Sequence, residues 1–190
     1  MIKIGILGDI GSGKSYVAKN FGYPVFNADF EVGKLYKKNK KIFIKLQKVL
    51  PKYICSFPIN KSEISKAILV NKHNLKKITK IVHLEIKKGM NKFLRQNKHK
   101  KIVILDIPLL LENKINKKGD ILIFIQSKKT EVLKRLRERQ NFNPRLLSRF
   151  KKIQLSLDYK KKKSQFIIRN DFTKKTVKKK INDILENILT

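Results

Sequence analysis

The chain has 190 residues, 41% of them hydrophobic, and a formal net charge of +33. This length and composition predict a single globular domain over residues 1–190. No apolar run approaches the roughly 20 residues that a membrane-spanning helix needs, so we expect no contact with a membrane. The lone Cys55 excludes an internal disulfide and predicts a cytoplasmic location, and because a core strand follows Met1 directly we expect no signal peptide.

Lysine carries most of the charge and is spread through every segment, together with abundant isoleucine and asparagine. This mixture is typical of a compositional bias. A basic surface also binds the phosphates of nucleic acids, so a nucleic-acid-binding protein stays open as an alternative. Arginine is more informative, because five of the seven arginines fall in one stretch: Arg135, Arg137, Arg139, Arg145 and Arg149.

The first predicted element is an apolar strand over residues 2–7, followed by a glycine-rich loop and a helix. Strand, G-x-x-x-x-G-K-S and helix together form the context of a phosphate-binding loop, or P-loop. Its glycines let successive N–H groups point inward, Lys14 would reach the β- and γ-phosphates, and the Ser15 hydroxyl would ligate Mg²⁺. The loop therefore predicts binding of a nucleoside triphosphate through Gly8, Gly11, Ser12, Gly13, Lys14, Ser15 and Tyr16.

A second short strand over residues 23–27 ends just before Asp29. Ligands of open parallel sheets meet the carboxyl ends of the strands, which places Asp29 near the predicted site. Its carboxylate would accept a proton from an attacking hydroxyl, would cap the helix predicted over residues 30–37, or would do both.

Residues 30–97 are predicted to form a helical insertion on the acceptor side. Apolar spacing indicates helices over residues 40–50 and 74–97, and the segment from Asn60 to Glu63 resembles a capping box before another helix. His83 lies on the long helix, where it either faces the acceptor or has a structural role.

Asp106 ends the clearest buried strand, residues 101–106. A strand closed by an acid resembles the Walker B strand, whose acid holds Mg²⁺ through water. The apolar run from Pro108 to Glu112 then leaves the sheet, and we expect it to form a substrate wall and not core. The nucleotide-binding core thus covers about residues 1–29 and 98–190.

A fourth strand over residues 120–125 precedes a helix that we expect Ser127 to cap and that runs through Arg139. Arg135 and Arg139 are one turn apart and would share one face of that helix. They introduce an arginine-bearing lid over about residues 137–162, which would close over the transferring phosphate.

Two further helices are predicted within this basic region, over residues 143–149 and 151–159, whereas Lys160 to Lys163 are expected to form a solvated face. A fifth strand over residues 165–168 leads to Asn170, and a final helix over residues 173–189 completes the chain. The order of elements predicts an α/β P-loop fold, with a five-stranded parallel sheet flanked by helices.

Several short motifs occur in the order and spacing of one known family. They are Gly11-Ser12-Gly13-Lys14-Ser15, Asn27-Ala28-Asp29, His83, Pro108-Leu109-Leu110-x-Glu112, Arg135-x-x-x-Arg139, Gln154 and Asn170. Over essentially its whole length the chain resembles the dephospho-coenzyme A kinase family. The element from Pro108 to Glu112 is the most discriminating, because a P-loop alone fits many functions.

The resemblance implies transfer of the γ-phosphoryl group of ATP to the ribose 3′-hydroxyl of dephospho-coenzyme A, with Mg²⁺, as the last step of coenzyme A synthesis. It implies that Asp29 is the general base, that Lys14, Arg135 and Arg139 bind ATP or stabilise charge, and that Asn170 lies by the adenine. The implied acceptor-binding residues are Asp29, Lys61, His83, Pro108, Leu109, Leu110 and Glu112. No specific nucleic-acid partner is expected.

The chain also departs from the family pattern. The departures are Leu7-Gly8-Asp9 for Thr-Gly-Gly, Asn27 for the first aspartate of Asp-Ala-Asp, Gly33 and Lys61 for arginines, Leu84 for proline, and Ser164-Gln165 for Ala-Asp. Because Asp29 is retained, we expect these changes to affect acceptor affinity more than reaction type. The Asp9 side chain is expected to point into solvent or towards a lid cation. Another small-molecule or nucleotide P-loop kinase stays open as an alternative.

Overall fold

The structure is a computed structural model that describes residues 1–140 and 142–190. Its strands are β1 (Ile2–Gly8), β2 (Val25–Asn27), β3 (Ile102–Asp106), β4 (Ile121–Gln126) and β5 (Phe166–Arg169). Within the described residues they form one five-stranded sheet in the order β2-β3-β1-β4-β5, and every neighbouring pair is parallel. The predicted parallel α/β fold is confirmed.

Helices occupy most of the remaining chain. They are α1 (Lys14–Asn20), α2 (Ala28–Lys38), α3 (Lys40–Val49), α4 (Lys61–Val70), α5 (Lys72–Gln96), α6 (Lys129–Arg137), α7 (Pro144–Lys151), α8 (Leu157–Lys163) and α9 (Lys174–Leu189). In the part of the chain that the structure describes, none of these helices has the length and apolar character of a membrane span.

The sheet is buried on both faces because its strands are nearly continuous apolar runs. Side chains alternate between faces along a strand, so Ile4 and Ile6 of β1 point to one side. Both are fully buried in a cluster that includes residues of α1 and α9. This packing holds the carboxyl end of β1, where the P-loop begins.

Leu110 fills the other face of the sheet. It is 1% exposed, and a Cβ added to Gly5 would lie 3.1 Å from its Cδ2 atom. The expectation that the run from Pro108 to Glu112 stays out of the core is therefore wrong for Leu110, because the side-chain-free Gly5 leaves a space that Leu110 occupies.

Contacts along the chain divide it into two units. Unit 1 comprises Met1–Asn27, Gln96–Phe142 and Ile153–Thr190, and unit 2 comprises Ala28–Arg95 and Asn143–Lys152. Unit 1 holds the sheet, and unit 2 is helical. The predicted lid includes α7 of unit 2 and α8 of unit 1, and Asn141 within it lies outside the described residues. The lid, the insertion and the single-domain organisation stay predictions.

Within unit 2, side-chain donors satisfy carbonyl groups near the end of α4. Arg149 of α7 donates from Nη2 to the carbonyl oxygen of Leu69 at 2.8 Å, and Asn74 donates from Nδ2 to that of Ala67 at 2.8 Å. The last carbonyls of a helix lack the regular partner within the helix, although that of Ala67 also accepts from Asn71 N. The two side-chain bonds fasten α7 and α5 to the end of α4.

Several predicted helix ends are corrected by the structure. Lys128, not Ser127, is the N-cap of α6, and α6 ends at Arg137, so Arg139 lies beyond it. The helix predicted over residues 151–159 does not form as one element, because α7 ends at Lys151 and α8 begins at Leu157.

Two predicted N-terminal caps are also corrected. Asp29 lies in the first turn of α2 and is not its N-cap, since α2 begins at Ala28. Asn60 caps α4 by accepting from Ser62 N, as predicted, but Glu63 does not complete a capping box. Its Oε1 atom accepts from the backbone N–H groups of Cys55 and Ser56 and closes the preceding loop.

Candidate active site

The P-loop joins β1 to α1 through a turn that needs glycine. The φ angles of Gly8, Gly11 and Gly13 are 148°, 85° and 87°, a region that other residues rarely adopt. A Cβ at Gly13 would lie 2.3 Å from Asn170 Nδ2, so the backbone at Gly13 passes very close to the Asn170 side chain. This left-handed turn is the conformation in which successive N–H groups can form an anion-binding nest.

Lys14 folds back over the loop. Its Nζ atom donates to the carbonyl oxygens of Asp9 at 2.7 Å and Gly8 at 3.3 Å. Asp9 accepts a hydrogen bond from Ile10 N through Oδ1 at 2.7 Å. This local bond was not expected, because the side chain was predicted to point into solvent or towards a lid cation. The carboxylate that departs from the family pattern thus helps to hold the turn.

The floor of the loop is built around Ser12, which is 1% exposed. Its carbonyl oxygen accepts from Ser127 Oγ at 3.0 Å and from Asn170 Nδ2 at 2.9 Å. Asn170 is also buried, and its Oδ1 atom accepts from Phe172 N at 2.9 Å. Two segments that are distant in sequence, after β4 and after β5, therefore fix the P-loop backbone.

Asn27 joins the two groups predicted to face Mg²⁺. Its Nδ2 atom donates to Asp106 Oδ2 and lies 3.4 Å from Ser15 Oγ. Asp106 is 3% exposed at the carboxyl end of β3, paired with Asn27 at the end of β2. A hydroxyl and a carboxylate held together are hard oxygen donors of the kind that Mg²⁺ prefers, so these residues fit the ion.

Arg135 stacks on Phe172. The guanidinium carbon lies 4.1 Å from the centre of the ring, within the range of a cation–π contact. Phe172 in turn lies beside the P-loop, since its Cε1 atom would be 3.3 Å from a Cβ at Gly13. Arg139 is exposed and lies beyond the end of α6, so the prediction that the two arginines share a helix face is wrong.

Glu112 is the buried partner of a lysine. Its Oε1 atom lies 2.8 Å from Lys160 Nζ and accepts from Leu155 N at 2.9 Å. Lys160 also lies 3.4 Å from the side-chain oxygen of Gln154. The prediction of a solvated face from Lys160 to Lys163 is wrong for Lys160, which is 3% exposed because it points inward to Glu112.

The start of α9, after β5, is ordered by Asp171. Its carboxylate accepts from Thr173 N and Thr173 Oγ1 and from Thr176 Oγ1. The backbone N–H of Thr173 is the main cause that holds the pKa of the Asp171 carboxyl below its ordinary value. The loop that contacts the P-loop through Asn170 is thereby fastened at its far end.

Comparison with known proteins agrees with this geometry. The model of the dephospho-CoA kinase family matches residues 2–176. The chain belongs to the dephospho-CoA kinase family. A dephospho-CoA kinase from Wolbachia sp. subsp. Brugia malayi is 35% identical over 190 residues and covers 97% of each chain.

Two solved structures show the same fold at lower identity. A Thermus thermophilus crystal structure has a TM-score of 0.81 at 23% identity and covers 100% of this chain and 98% of its own. A dephospho-CoA kinase from Campylobacter jejuni has a TM-score of 0.63 at 20% identity and covers 98% and 96%.

Of the other residues that family resemblance selects, Pro108 and Leu109 lie in unit 1, and Asp29, Lys61 and His83 lie in unit 2. Asp29 is exposed in the first turn of α2, and Lys61 is the first residue of α4. His83 lies on α5 with its Nε2 atom buried and without a hydrogen-bond partner. In unit 1 the P-loop, Asp106, Asn170 and the Arg135 stack are brought together.

Sequence reasoning missed the contacts of three residues in and around the candidate site. Ser127 supports the P-loop backbone instead of capping a helix, Phe172 carries Arg135, and Lys160 neutralises Glu112. A serine before a helix and a lysine among lysines give no sign of such long-range partners. The sequence shows Phe172 only as an aromatic residue two positions after Asn170, which does not indicate a contact with Arg135.

Proposed function

We propose that this chain transfers the γ-phosphoryl group of ATP to the ribose 3′-hydroxyl of dephospho-coenzyme A, giving coenzyme A. The observation that carries this function is the family match over residues 2–176. The P-loop that its motif predicted is formed, with Lys14 lying over the turn. The roles of individual residues in binding ATP, Mg²⁺ and the acceptor are also proposals.

On the donor side, the P-loop N–H groups would cradle the phosphates. Lys14 would exchange its bonds to the carbonyls of Gly8 and Asp9 for bonds to phosphate oxygens. Ser15 would hold Mg²⁺ directly and Asp106 through water, and the ion would neutralise charge on the phosphates. Asn27 keeps these two groups in place, as its contacts with both support.

Cations beside the loop would stabilise the charge of the transferred group. Arg135 lies on the ring of Phe172, and the edge of that ring is close to Gly13, which supports the assignment of Arg135 to ATP binding and catalysis. Arg139 and Tyr16, which borders the loop on α1, are proposed to bind ATP. Asn170 is proposed to lie by the adenine. Positioning and charge stabilisation are the main demands of phosphoryl transfer.

On the acceptor side, Asp29 would take the proton of the attacking 3′-hydroxyl as the hydroxyl oxygen bonds to the γ-phosphorus of ATP. The bond from that phosphorus to the β,γ-bridging oxygen would break, and ADP would leave. Asp29 follows the carboxyl end of β2 by two residues and is exposed, so a substrate in solution can reach it. Lys61, His83, Pro108, Leu109, Leu110 and Glu112 are proposed to bind the acceptor. The buried Nε2 atom of His83 supports its inclusion, because a buried polar atom without a partner is a candidate for a ligand contact.

A cytoplasmic location stays a prediction, which depends on the lone Cys55.

The test is an ADP-release assay with ATP and Mg²⁺ that offers dephospho-coenzyme A beside nucleoside monophosphates. We expect turnover of dephospho-coenzyme A only, with the product identified by mass as its 3′-phosphate. Turnover of a nucleoside monophosphate alone would favour the other P-loop kinases. Nucleic-acid binding that survives physiological salt, without kinase activity, would favour the remaining alternative.

Asp29→Asn tests the base. We expect kcat to fall by at least about 100-fold with ATP affinity nearly unchanged, because only the proton acceptor is lost. The matched control is Glu31→Gln, which removes the other carboxylate from the first turn of α2. Equal activity of Asp29→Asn and the control variant would refute the assignment.

A further inference from the structure

Phe172 adopts a backbone conformation that is costly for a bulky residue. Its φ is 65°, in the left-handed region where phenylalanine is uncommon. Such strain persists only where surrounding contacts enforce it, and it is frequent at functional sites.

Phe172 is held against the P-loop through Asn170 and through its own ring. Its backbone N–H donates to Asn170 Oδ1 at 2.9 Å, and Asn170 donates to the carbonyl oxygen of Ser12 at 2.9 Å. The ring edge would be 3.3 Å from a Cβ at Gly13. A half-buried ring is thus fastened to the loop predicted to hold phosphate.

We infer that Phe172 is a positioning residue that holds the Arg135 guanidinium beside the P-loop, ready for the phosphates of ATP. The guanidinium carbon lies over the ring at 4.1 Å, and a phenyl ring has no hydrogen-bond acceptor that would compete for the guanidinium N–H groups. Arg135 is otherwise exposed on α6. The contact with the ring restricts the arginine side chain before ATP binds, so that binding loses less conformational entropy.

This inference rests on the proposed function only in using ATP as a substrate. Its test therefore measures binding of a fluorescent ATP analogue with no acceptor present, followed by steady-state kinetics. Failure of the acceptor assignment would leave the binding result intact, so the two failures are distinguishable.

Phe172→Leu keeps an apolar side chain that is not branched at Cβ, at the same φ, and removes the π face. We expect the Kd for the analogue to rise, or kcat to fall, by about 3- to 10-fold, as loss of one cation–π contact and of pre-organisation predicts. Phe172→Tyr should restore the parent values. Thermal unfolding of each variant checks that the fold is kept.

The double variant Phe172→Leu/Arg135→Ala decides the mechanism. If Phe172 acts through Arg135, Phe172→Leu has no further effect on Kd or kcat in the Arg135→Ala background. Lys134→Ala, which removes the adjacent exposed cation of α6, should leave Phe172→Leu as harmful as before. No loss in Phe172→Leu, no rescue by tyrosine, or the same loss with and without Arg135 would overturn the inference.

Discussion

Lys160→Met isolates the buried ion pair that links α8 to the segment after β3. Lys160 Nζ lies 2.8 Å from Glu112 Oε1, and the two side chains are 4% and 10% exposed. Methionine keeps the length and apolar stem of lysine but leaves the Glu112 carboxylate buried without its cation. Breaking a buried pair in this way costs about 3–5 kcal/mol, because the remaining charge has lost its compensation.

For a chain of this size each kcal/mol lowers Tm by about 2–4 °C, so the expected decrease is on the order of 10 °C. Urea unfolding by circular dichroism gives the free energy of unfolding, and a thermal scan gives Tm. The matched control is Lys161→Met, an exposed neighbour on α8, for which we expect a change within about 0.5 kcal/mol.

The double variant Lys160→Met/Glu112→Leu tests the reason. Replacing both charges by apolar groups removes the uncompensated carboxylate, so most of the lost stability should return. A loss below about 1 kcal/mol in Lys160→Met would refute the reasoning, since surface ion pairs contribute only that much. Failure of the double variant to recover would show that Lys160 acts through something other than Glu112.

Three further predictions concern the P-loop, its metal-facing groups and unit 2. Gly13→Ala should weaken ATP-analogue binding more than tenfold, because its Cβ would lie 2.3 Å from Asn170 Nδ2 at a φ of 87°. Asn27→Ala removes a donor from the buried Asp106, so urea unfolding should show a loss of about 1–3 kcal/mol and the Mg²⁺ concentration for half-maximal activity should rise. Burial raises the pKa of Tyr36 from 10.0 to about 12, so the folded state holds that proton more firmly. Stability present below pH 10 should therefore decline as pH rises towards 12, by about 2–3 kcal/mol in urea unfolding, and Tyr36→Phe should remove this part of the decline.

Each of these has a control. Gly22→Ala has a φ of 73° with no atom within 4 Å of the added Cβ, so it separates backbone strain from the clash at Gly13. Asn20→Ala removes an exposed amide outside the site and should leave the Mg²⁺ requirement unchanged. Identical pH dependence of Tyr36→Phe and the parent chain would contradict the burial argument.

The strands and the P-loop could be predicted because their signals are local. Apolar runs such as residues 102–106 are too continuous for a half-exposed strand, and G-x-x-x-x-G-K-S after such a run has one common structural context. These features therefore agree with the structure in their order, and each predicted strand bound lies within two residues of the observed one.

Other features depend on partners far away in sequence. Lys160 differs from the lysines that follow it only because Glu112 lies opposite, and Ser127 donates to Ser12, which is 115 residues away. The end of α6 before Arg139 has no glycine or proline to mark it. Local pattern carries no information about such contacts, so they become visible only in three dimensions.

The hydrogen bond from Asn170 to Ser12 also has a consequence for folding during synthesis. The nucleotide loop is translated among the first fifteen residues, yet the amide that supports its backbone follows β5, near the other end. β1 itself pairs with β3 and β4, so a ribosome must add more than a hundred residues before the first strand has a neighbour. A growing polypeptide would therefore carry an unpaired apolar strand for about half of its synthesis, and an exposed segment of this kind is prone to aggregate.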